Sequence, residues 1–448
     1  MRTVFDVDQS REPRAGYSGE RTQATAEPPE AEYAAPDRAL AFVVLAFSIK
    51  PGIEQLLCSL RFLLFTSELK RLSRPLQLFH FLLDSGPSTL DADVVYSRVI
   101  DTDEKLADFL PRVRNAAWIA VDTEADSLHA YPEKLCLLQI SIPGADELLD
   151  PLSSMDMRPL LETVHERELV FHGADYDLRL LRKSWGFVPV AIVDTMLASR
   201  LLGCREFGLT NLVSKYLGVP LEKGPQKANW ARRPLTQRME SYARNDTHYL
   251  KPLADLLQSE LKQKGRLAWH RESCARLVAD CAQSRPADPD LAWRIKGSHH
   301  LPPPALAVLR EIWQWREQEA IESNKPPFFI LAPEVMVRLA MVAAQGEDVH
   351  NVFPRHLWPR RRERLLKAIG AGLKSDSHPR LLRHKSTRQT EAEKRRMHEL
   401  EKRRNSRAAE LGIDPTLIAS RAMLVLLAKD WTAHQSGLME WQRKLLEA

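Results

Sequence analysis

Cysteine is scarce and scattered. The 448 residues hold five (Cys58, Cys136, Cys204, Cys274, Cys281) with no C-x-x-C pair among them. That spacing offers neither a thiolate zinc site nor a disulfide framework, and it reads as buried free thiols in a reducing compartment. A secretory leader is missing too: the first 38 residues are polar and rich in Pro, Glu and Arg. The apolar run Ala39–Ile49 is too short to cross a bilayer, which takes roughly 20 residues. No spanning segment and a cytoplasmic location are therefore expected.

There is ample material for several cores. Hydrophobic residues make up 44% of the chain and ten are tryptophan, and this length suits two to four domains. The net charge of +5 is unevenly spread, with Arg360-Arg361-Arg362, Lys394-Arg395-Arg396 and Lys402-Arg403-Arg404 crowded between Arg355 and Arg407. Such clusters suit a polyanion such as nucleic acid, although a solvated helix face is the plainer account of them.

Residues 1–38 read as disordered. Residues 39–88 hold two apolar patches broken at Lys50-Pro51-Gly52, which suit amphipathic helices packed on the body more than a membrane surface. From about Val94 the texture alternates between strands and helices, as in an α/β domain. Helix is expected over 101–113, strands at 118–123 and 135–142, and a third strand near Glu147–Leu149 to complete a meander. Helix 156–166 precedes a short buried strand, Leu169-Val170-Phe171. The following HGADYDLRLLRKSWG spaces Tyr176, Leu180 and Leu181 as a helix closed by Gly186. Ile192-Val193 is a last strand, followed by helices at 195–203 and 209–217, a basic loop at 223–233 and helix over 234–257.

After Asp290 strand signals stop. Helix 302–322 carries Trp313 and Trp315, the segment NKPPFF breaks it, and another helix begins near Pro333. PFFILAPEVMVRLA (327–340) lies on PTLIASRAMLVLLA (415–428) without a gap, matching Pro327, Ile330, Leu339 and Ala340 to Pro415, Ile418, Leu427 and Ala428. Two copies of a small helical module are expected.

One stretch organises the rest: WIAVDTEADSLHAYPEKLCLLQISI, Trp118–Ile142. Its first four residues suit a strand buried on both faces, yet the strand ends in Asp122-Thr123-Glu124. Strand side chains alternate, so both carboxylates point the same way and repel each other unless a cation neutralises them. D-x-E alone is common by composition. Its partners decide the matter: Asp177 on the first turn of a helix after a buried strand, and Tyr242 with Asp246 at i and i+4 on one helix face. Singly, Asp177 would complement a helix dipole, Tyr242 would be a half-buried core residue, and Asp246 a surface acid. Together they form a set of hard oxygen donors without His or Cys, which suits Mg²⁺ or Mn²⁺. Two such ions about 4 Å apart clamp a phosphodiester.

The conjunction of DTE, HGADYD and YARND resembles the three exonuclease motifs of the DEDD superfamily. Within it the tyrosine branch, to which ribonuclease D belongs, has a tyrosine four residues before the last aspartate. Position 241, where the histidine branch has histidine, is Ser241. LCLLQIS (135–141), VDTMLASRLLG (193–203) and NWARRPLTQRMESYA (229–243) are similar to ribonuclease D as well, and the likeness runs over roughly residues 94 to 260. WQWREQEAIESNKPPFFILAPEVMVRLA resembles the helicase-and-RNase-D C-terminal (HRDC) module, of which the C-terminal repeat would be a second, weaker copy.

The resemblance implies a ribonuclease H-like mixed sheet flanked by helices, an α/β exonuclease domain, followed by all-α HRDC-type modules. It divides the chain into an extension (1–90), a DEDDy exonuclease domain (91–290), an HRDC domain (295–375), and a basic helix with a second HRDC-like module (376–448). It implies two divalent ions, Mg²⁺ or Mn²⁺. Asp122 would bridge them, Glu124 and Asp246 would hold the ion on the nucleophile side, Asp177 would act largely on the other, and Tyr242 would orient the attacking water. Substrate would be met by Thr123, His172, Lys223, Gln226, Trp230 and Arg233. Ala125 stands where many relatives have an aromatic, which leaves the contact to the terminal nucleotide open.

The expected activity is metal-dependent 3′→5′ trimming of structured RNA, such as transfer RNA precursors, with no membrane and no obligate protein partner. A DEDDy exonuclease acting on DNA is the first alternative. A non-catalytic RNA-binding protein on the same fold is the second, opposed by the intact acid set. Every acid of the site precedes residue 250 and the Arg/Lys clusters follow residue 350, so the helical region is expected to supply affinity and no chemistry.

Overall fold

The computed structural model describes residues 99–283, 288–355, 357–375 and 389–447. The expectations for residues 1–90 lie outside the described residues.

Six strands form one mixed sheet: β1 (Val99–Ile100), β2 (Ile119–Ala125), β3 (Leu135–Ile142), β4 (Ala145–Leu149), β5 (Glu168–Phe171) and β6 (Ala191–Asp194), in the order β1-β4-β3-β2-β5-β6. β2, β3 and β4 make the expected antiparallel meander, while β5 joins β2, β6 joins β5 and β1 joins β4, all in parallel. All eight residues of β3 are buried, because helices cover both faces of the sheet at its centre.

Helix α1 (Asp103–Asn115) shows why the local signals worked. Thr102 caps it by accepting from Lys105 N, acids open it and Arg112 and Arg114 close it, in keeping with the helix dipole. Leu106, Phe109, Leu110 and Val113 form its buried stripe. On the same side lie α2 (Arg158–His165) and α3 (Asp175–Trp185), the latter ended by Gly186 at φ +68°. Then come α4 (Thr195–Leu201), α5 (Leu209–Leu217), α6 (Gln237–His248), α7 (Leu250–Gln263) and α8 (Leu267–Ala282). The single helix expected over 234–257 is two, broken at Tyr249. Pro252 explains the break: it has no N–H for the His248 carbonyl, and its ring would clash there.

Beyond the short α9 (Pro289–Ala292) the described residues hold helices and no strand. They comprise α10 (Pro303–Ser323), α11 (Pro327–Ile330), α12 (Pro333–Ala344) and α13 (Pro359–Leu373), then α14 (Glu391–Leu411), α15 (Pro415–Ile418), α16 (Arg421–Lys429), α17 (Trp431–His434) and α18 (Glu440–Glu447). The repeat noticed over fourteen residues extends further. Helices α10, α11 and α12 begin at 303, 327 and 333, and α14, α15 and α16 begin 88 residues later at 391, 415 and 421. Ile330, Met336, Leu339 and Ala340 are buried, as are their counterparts Ile418, Leu424, Leu427 and Ala428.

The two modules differ in what they pack against. The first has a core of its own, with Leu306, Leu309 and Ile312 against Met336, Leu339 and Leu365. The second shares one with the exonuclease helices: Ile418, Leu424, Leu427 and Trp441 pack with Leu201, Leu212, Leu253 and Leu257. Arg266 bonds the Leu201 carbonyl at 2.8 Å and the Leu411 carbonyl at 2.7 Å, tying α4 to α14. Among the described residues no helix is long and apolar enough to cross a membrane.

Candidate active site

Strand β2 ends in the DTE triplet, and its alternation turns Asp122 and Glu124 to one face. Helix α6 lies on that face. Its buried side, Met239, Ala243 and Thr247, meets β3, where the Ser141 hydroxyl donates to Thr247 Oγ1 at 2.7 Å. Asp246 precedes Thr247 and is thereby delivered to the strand end. One carboxylate oxygen each from Asp122, Glu124 and Asp246 fall within 4.8 Å of one another.

Asp177 comes from the first turn of α3 and is buried. It stands outside that trio, and its Oδ1 accepts from the Thr123 hydroxyl at 2.5 Å. It still sits close enough for its charge to act on Asp122, Glu124 and Asp246. Burial first and mutual repulsion second push the acids up: Asp246 to about 7, Glu124 to about 9, and Asp122 well above the carboxylate range. Asp177 rises to about 6 through burial, with the Thr123 hydroxyl working the other way.

Tyr242 sits one turn before Asp246 and hydrogen-bonds it, and Gln226 bonds the phenol as well. Burial and the charges of Asp246 and Glu124 hold the phenol above its usual range, hence neutral. The ring is gripped from two directions. The Trp230 ring centroid is 6.1 Å away, and the Gly224 backbone presses so close that a Cβ there would fall 1.5 Å from Tyr242 Cδ2. Only glycine permits that approach.

The residues implied as substrate contacts divide. Lys223 and Gln226 are exposed on the loop that covers Tyr242. Trp230 is fully buried and packs with Leu137, Leu148 and Met239, so it supports Tyr242 and offers no face to a base. Arg233 is consumed internally: Nε and Nη2 bond Asp150 at 2.6 and 2.7 Å, Nη2 bonds the Cys136 carbonyl at 2.7 Å, and Nη1 bonds the Trp230 carbonyl at 2.7 Å. A guanidinium so occupied has no fork left for a phosphate. The Thr123 hydroxyl is spent on Asp177. His172 Nδ1 lies 2.8 Å from Thr195 Oγ1, whose own proton goes to the Phe171 carbonyl, so the imidazole donates to the threonine.

Two positioning residues escaped the sequence reading. Asp194 accepts four backbone N–H groups, those of Gly173, Ala174, Met196 and Leu197, and so sets the turn that launches α3 with Asp177. Its place in VDTM was noted, but nothing local distinguishes it from an ordinary helix cap. Gln139 is the direct cross-strand partner of Asp122 and hence shares its face. It is fully buried, and neither polar atom of its amide has a partner.

This donor set fits a hard divalent cation. Three carboxylate oxygens converge, no Lys or Arg pairs with Asp122, Glu124 or Asp246 among the described residues, and an unsatisfied amide stands beside them. Apposed acids with raised pKa values are what a missing counter-charge produces.

Known proteins agree with the geometry. A 3′-5′ exonuclease family model matches residues 97–262 and an HRDC domain model matches residues 305–348. Ribonuclease D of Desulfotalea psychrophila is 27% identical over 359 residues, covering 78% of this chain and 96% of that protein. Ribonuclease D of Pseudomonas paraeruginosa is 31% identical over 264 residues, covering 57% of this chain and 69% of that protein. The crystal structure of Escherichia coli RNase D, described as an exoribonuclease involved in structured RNA processing, shares the fold with TM-score 0.62 at 23% identity, covering 78% of this chain and 98% of that one. The chain belongs to the ribonuclease D family of 3′→5′ exoribonucleases.

Proposed function

We propose that the chain trims 3′ ends of structured RNA, such as transfer RNA precursors, by two-metal-ion hydrolysis at Asp122, Glu124, Asp177 and Asp246. The observation that carries this is the convergence of three carboxylate oxygens within 4.8 Å, with a neutral tyrosine one helical turn from Asp246. Asp122, whose carboxylate meets those of Glu124 and Asp246 and feels the charge of Asp177, would be the shared ligand. Glu124 and Asp246 would hold the ion on the nucleophile side, and Asp177, steadied by Thr123, would act on the leaving-group side. Bound Mg²⁺ or Mn²⁺ supplies a hydroxide nucleophile at neutral pH and neutralises charge on the scissile phosphate. Tyr242 keeps its proton, so its hydroxyl orients the attacking water and does not act as the base. Lys223 and Gln226, exposed beside Tyr242, would touch the terminal nucleotides. The unsatisfied Gln139 amide is placed to hold Asp122 or a water beside it.

The test is incubation of the full chain with Mg²⁺ and matched 3′-tailed RNA and DNA, with products followed by length. Stepwise shortening of the RNA from its 3′ end, stopped by a chelator, is expected. Preference for the DNA would establish the first alternative, and binding without any shortening of either would leave the non-catalytic scaffold.

A further inference from the structure

One end of the first helical module carries large aromatic side chains that the protein leaves uncovered. Phe328 and Phe329 are 49% and 56% exposed, with ring centroids 4.5 Å apart. Trp358 is 74% exposed, the most open of the large apolar side chains among the described residues. These residues lie at the same end of the module. Helix α13 runs antiparallel to α10, with Arg361 bonding Glu319 at 3.0 Å near one end and Gly372 against Val308 near the other. Trp358, just ahead of α13, therefore stands where α10 stops and the Phe328–Phe329 segment begins.

That end is also the one fastened to the exonuclease sheet. Asn324 Oδ1 accepts from Tyr131 N at 3.2 Å, and the Tyr131 hydroxyl donates to Glu317. Tyr131 belongs to the connection between β2 and β3, and β2 bears Asp122 and Glu124. On the same connection Glu133 accepts from the hydroxyl of Tyr176, the neighbour of Asp177, at 3.2 Å. The aromatic end of the module is thus anchored to the segment that leaves the acid cluster.

Its charge indicates what it receives. Arg355 and Arg360 flank Trp358, both exposed, and no side-chain hydrogen bond or ion pair engages either of them among the described residues. Arg355 and Trp358 border a shallow concavity of about 400 Å³, with Leu357, Pro359 and Arg362. Exposed rings with exposed guanidinium groups beside them match single-stranded nucleic acid, whose bases have two open faces and whose backbone is anionic. A duplex buries those faces.

We propose that this end of the module binds unpaired nucleotides of the RNA, with bases stacked on Trp358 and on the Phe328–Phe329 pair and phosphates met by Arg355 and Arg360. The site rests on the nuclease reading for its substrate and feeds a single-stranded 3′ segment toward the acid cluster.

Binding to the full chain, measured with metal chelated so that nothing is cleaved, separates this from the chemistry. The probes are a fluorescently labelled twelve-nucleotide oligouridylate and a blunt RNA hairpin. Trp358→Ala, and separately Phe328→Ala with Phe329→Ala, should weaken oligouridylate binding about tenfold. The blunt hairpin should be unaffected and Trp358→Phe should retain most of the affinity. Arg355→Ala and Arg360→Ala should each lower the slope of log affinity against log salt by about one. Thermal melting identifies any variant that fails to fold, and the two aromatic sites check each other. Wild-type oligouridylate affinity in both folded aromatic variants would overturn the proposal. So would an equal loss on the blunt hairpin, which would mean a general electrostatic surface or a site for another protein. Cleavage of a trinucleotide with Mg²⁺, read in the same variants, should match wild type. If no variant nor the wild type cleaves while the aromatic dependence of binding persists, the nuclease reading fails and this site stands.

Discussion

The indole of Trp441 stacks on that of Trp269, ring centroids 5.0 Å apart and planes 13° from parallel. Beside them Glu272 accepts from Glu440 N at 2.6 Å and Trp441 N at 3.4 Å, capping the start of α18 from α8. The C-terminal module is therefore built into the exonuclease domain, although every acid of the candidate site precedes residue 250 and the basic clusters follow residue 350. Trp441→Ala should cost roughly 3–5 kcal/mol, as for other buried tryptophans, and Trp441→Phe much less. A chain ending near Asp290 should expose Leu201, Leu212, Leu253 and Leu257 and associate on size exclusion. A monomeric truncation melting like the full chain would contradict the shared core.

The acid cluster makes stability depend on pH in a defined direction. Unfolded carboxylates titrate near 4, whereas Asp177, Asp246 and Glu124 are held at about 6, 7 and 9. The metal-free folded chain then keeps protons that the unfolded chain releases, so their contribution is full below about 4 and is lost as pH climbs through these values. In chelator the melting temperature should fall between pH 5 and pH 9. Added Mg²⁺ or Mn²⁺ should raise it more at pH 9 than at pH 5. Asp122→Asn should flatten the metal-free slope, abolish nucleotide release and leave RNA binding intact. Turnover like wild type in that variant would rule out the shared-ligand role.

Tyr242→Phe removes one hydroxyl from a ring gripped by Trp230 and Gly224. A water-orienting group contributes roughly 10²–10⁴-fold, so kcat should drop on that scale while the melting curve stays put. Gly224→Ala should reach a similar rate by a different route, pushing the intact phenol out of place. Rates within a few-fold of wild type for Tyr242→Phe would make the tyrosine a packing residue.

Asp194→Asn replaces a carboxylate that accepts four N–H groups with an amide that has one acceptor oxygen. Losing charge-assisted bonds in a buried turn should cost roughly 3 kcal/mol or more. Because that turn starts α3, the rate should also fall at temperatures where the variant is fully folded. A stable variant with normal rate would show that Asp177 is placed without it.

The sequence by itself determined whatever depends on near neighbours. The run Trp118–Val121 marked a buried strand, the period of two put Asp122 and Glu124 on one face, and the spacing of four put Tyr242 and Asp246 on another. The HRDC-like repeat was visible in fourteen aligned residues because its buried positions recur in register. Pro252 carried the signal for the helix break at Tyr249. What only the tertiary structure decided is which side chains are already engaged and which are free. The family resemblance implies Trp230 and Arg233 as substrate contacts, yet one is sealed under Tyr242 and the other is bound to Asp150, eighty-three residues distant in sequence. Gln139 reads as one polar residue in an apolar strand, and its importance comes from the register that sets it beside Asp122. Trp269 and Trp441 each lie near the start of a helix, far apart in sequence, until a shared core brings them face to face. A residue's periodicity is a property of its own segment, but its burial and its hydrogen-bond partners are set by segments the local pattern does not encode.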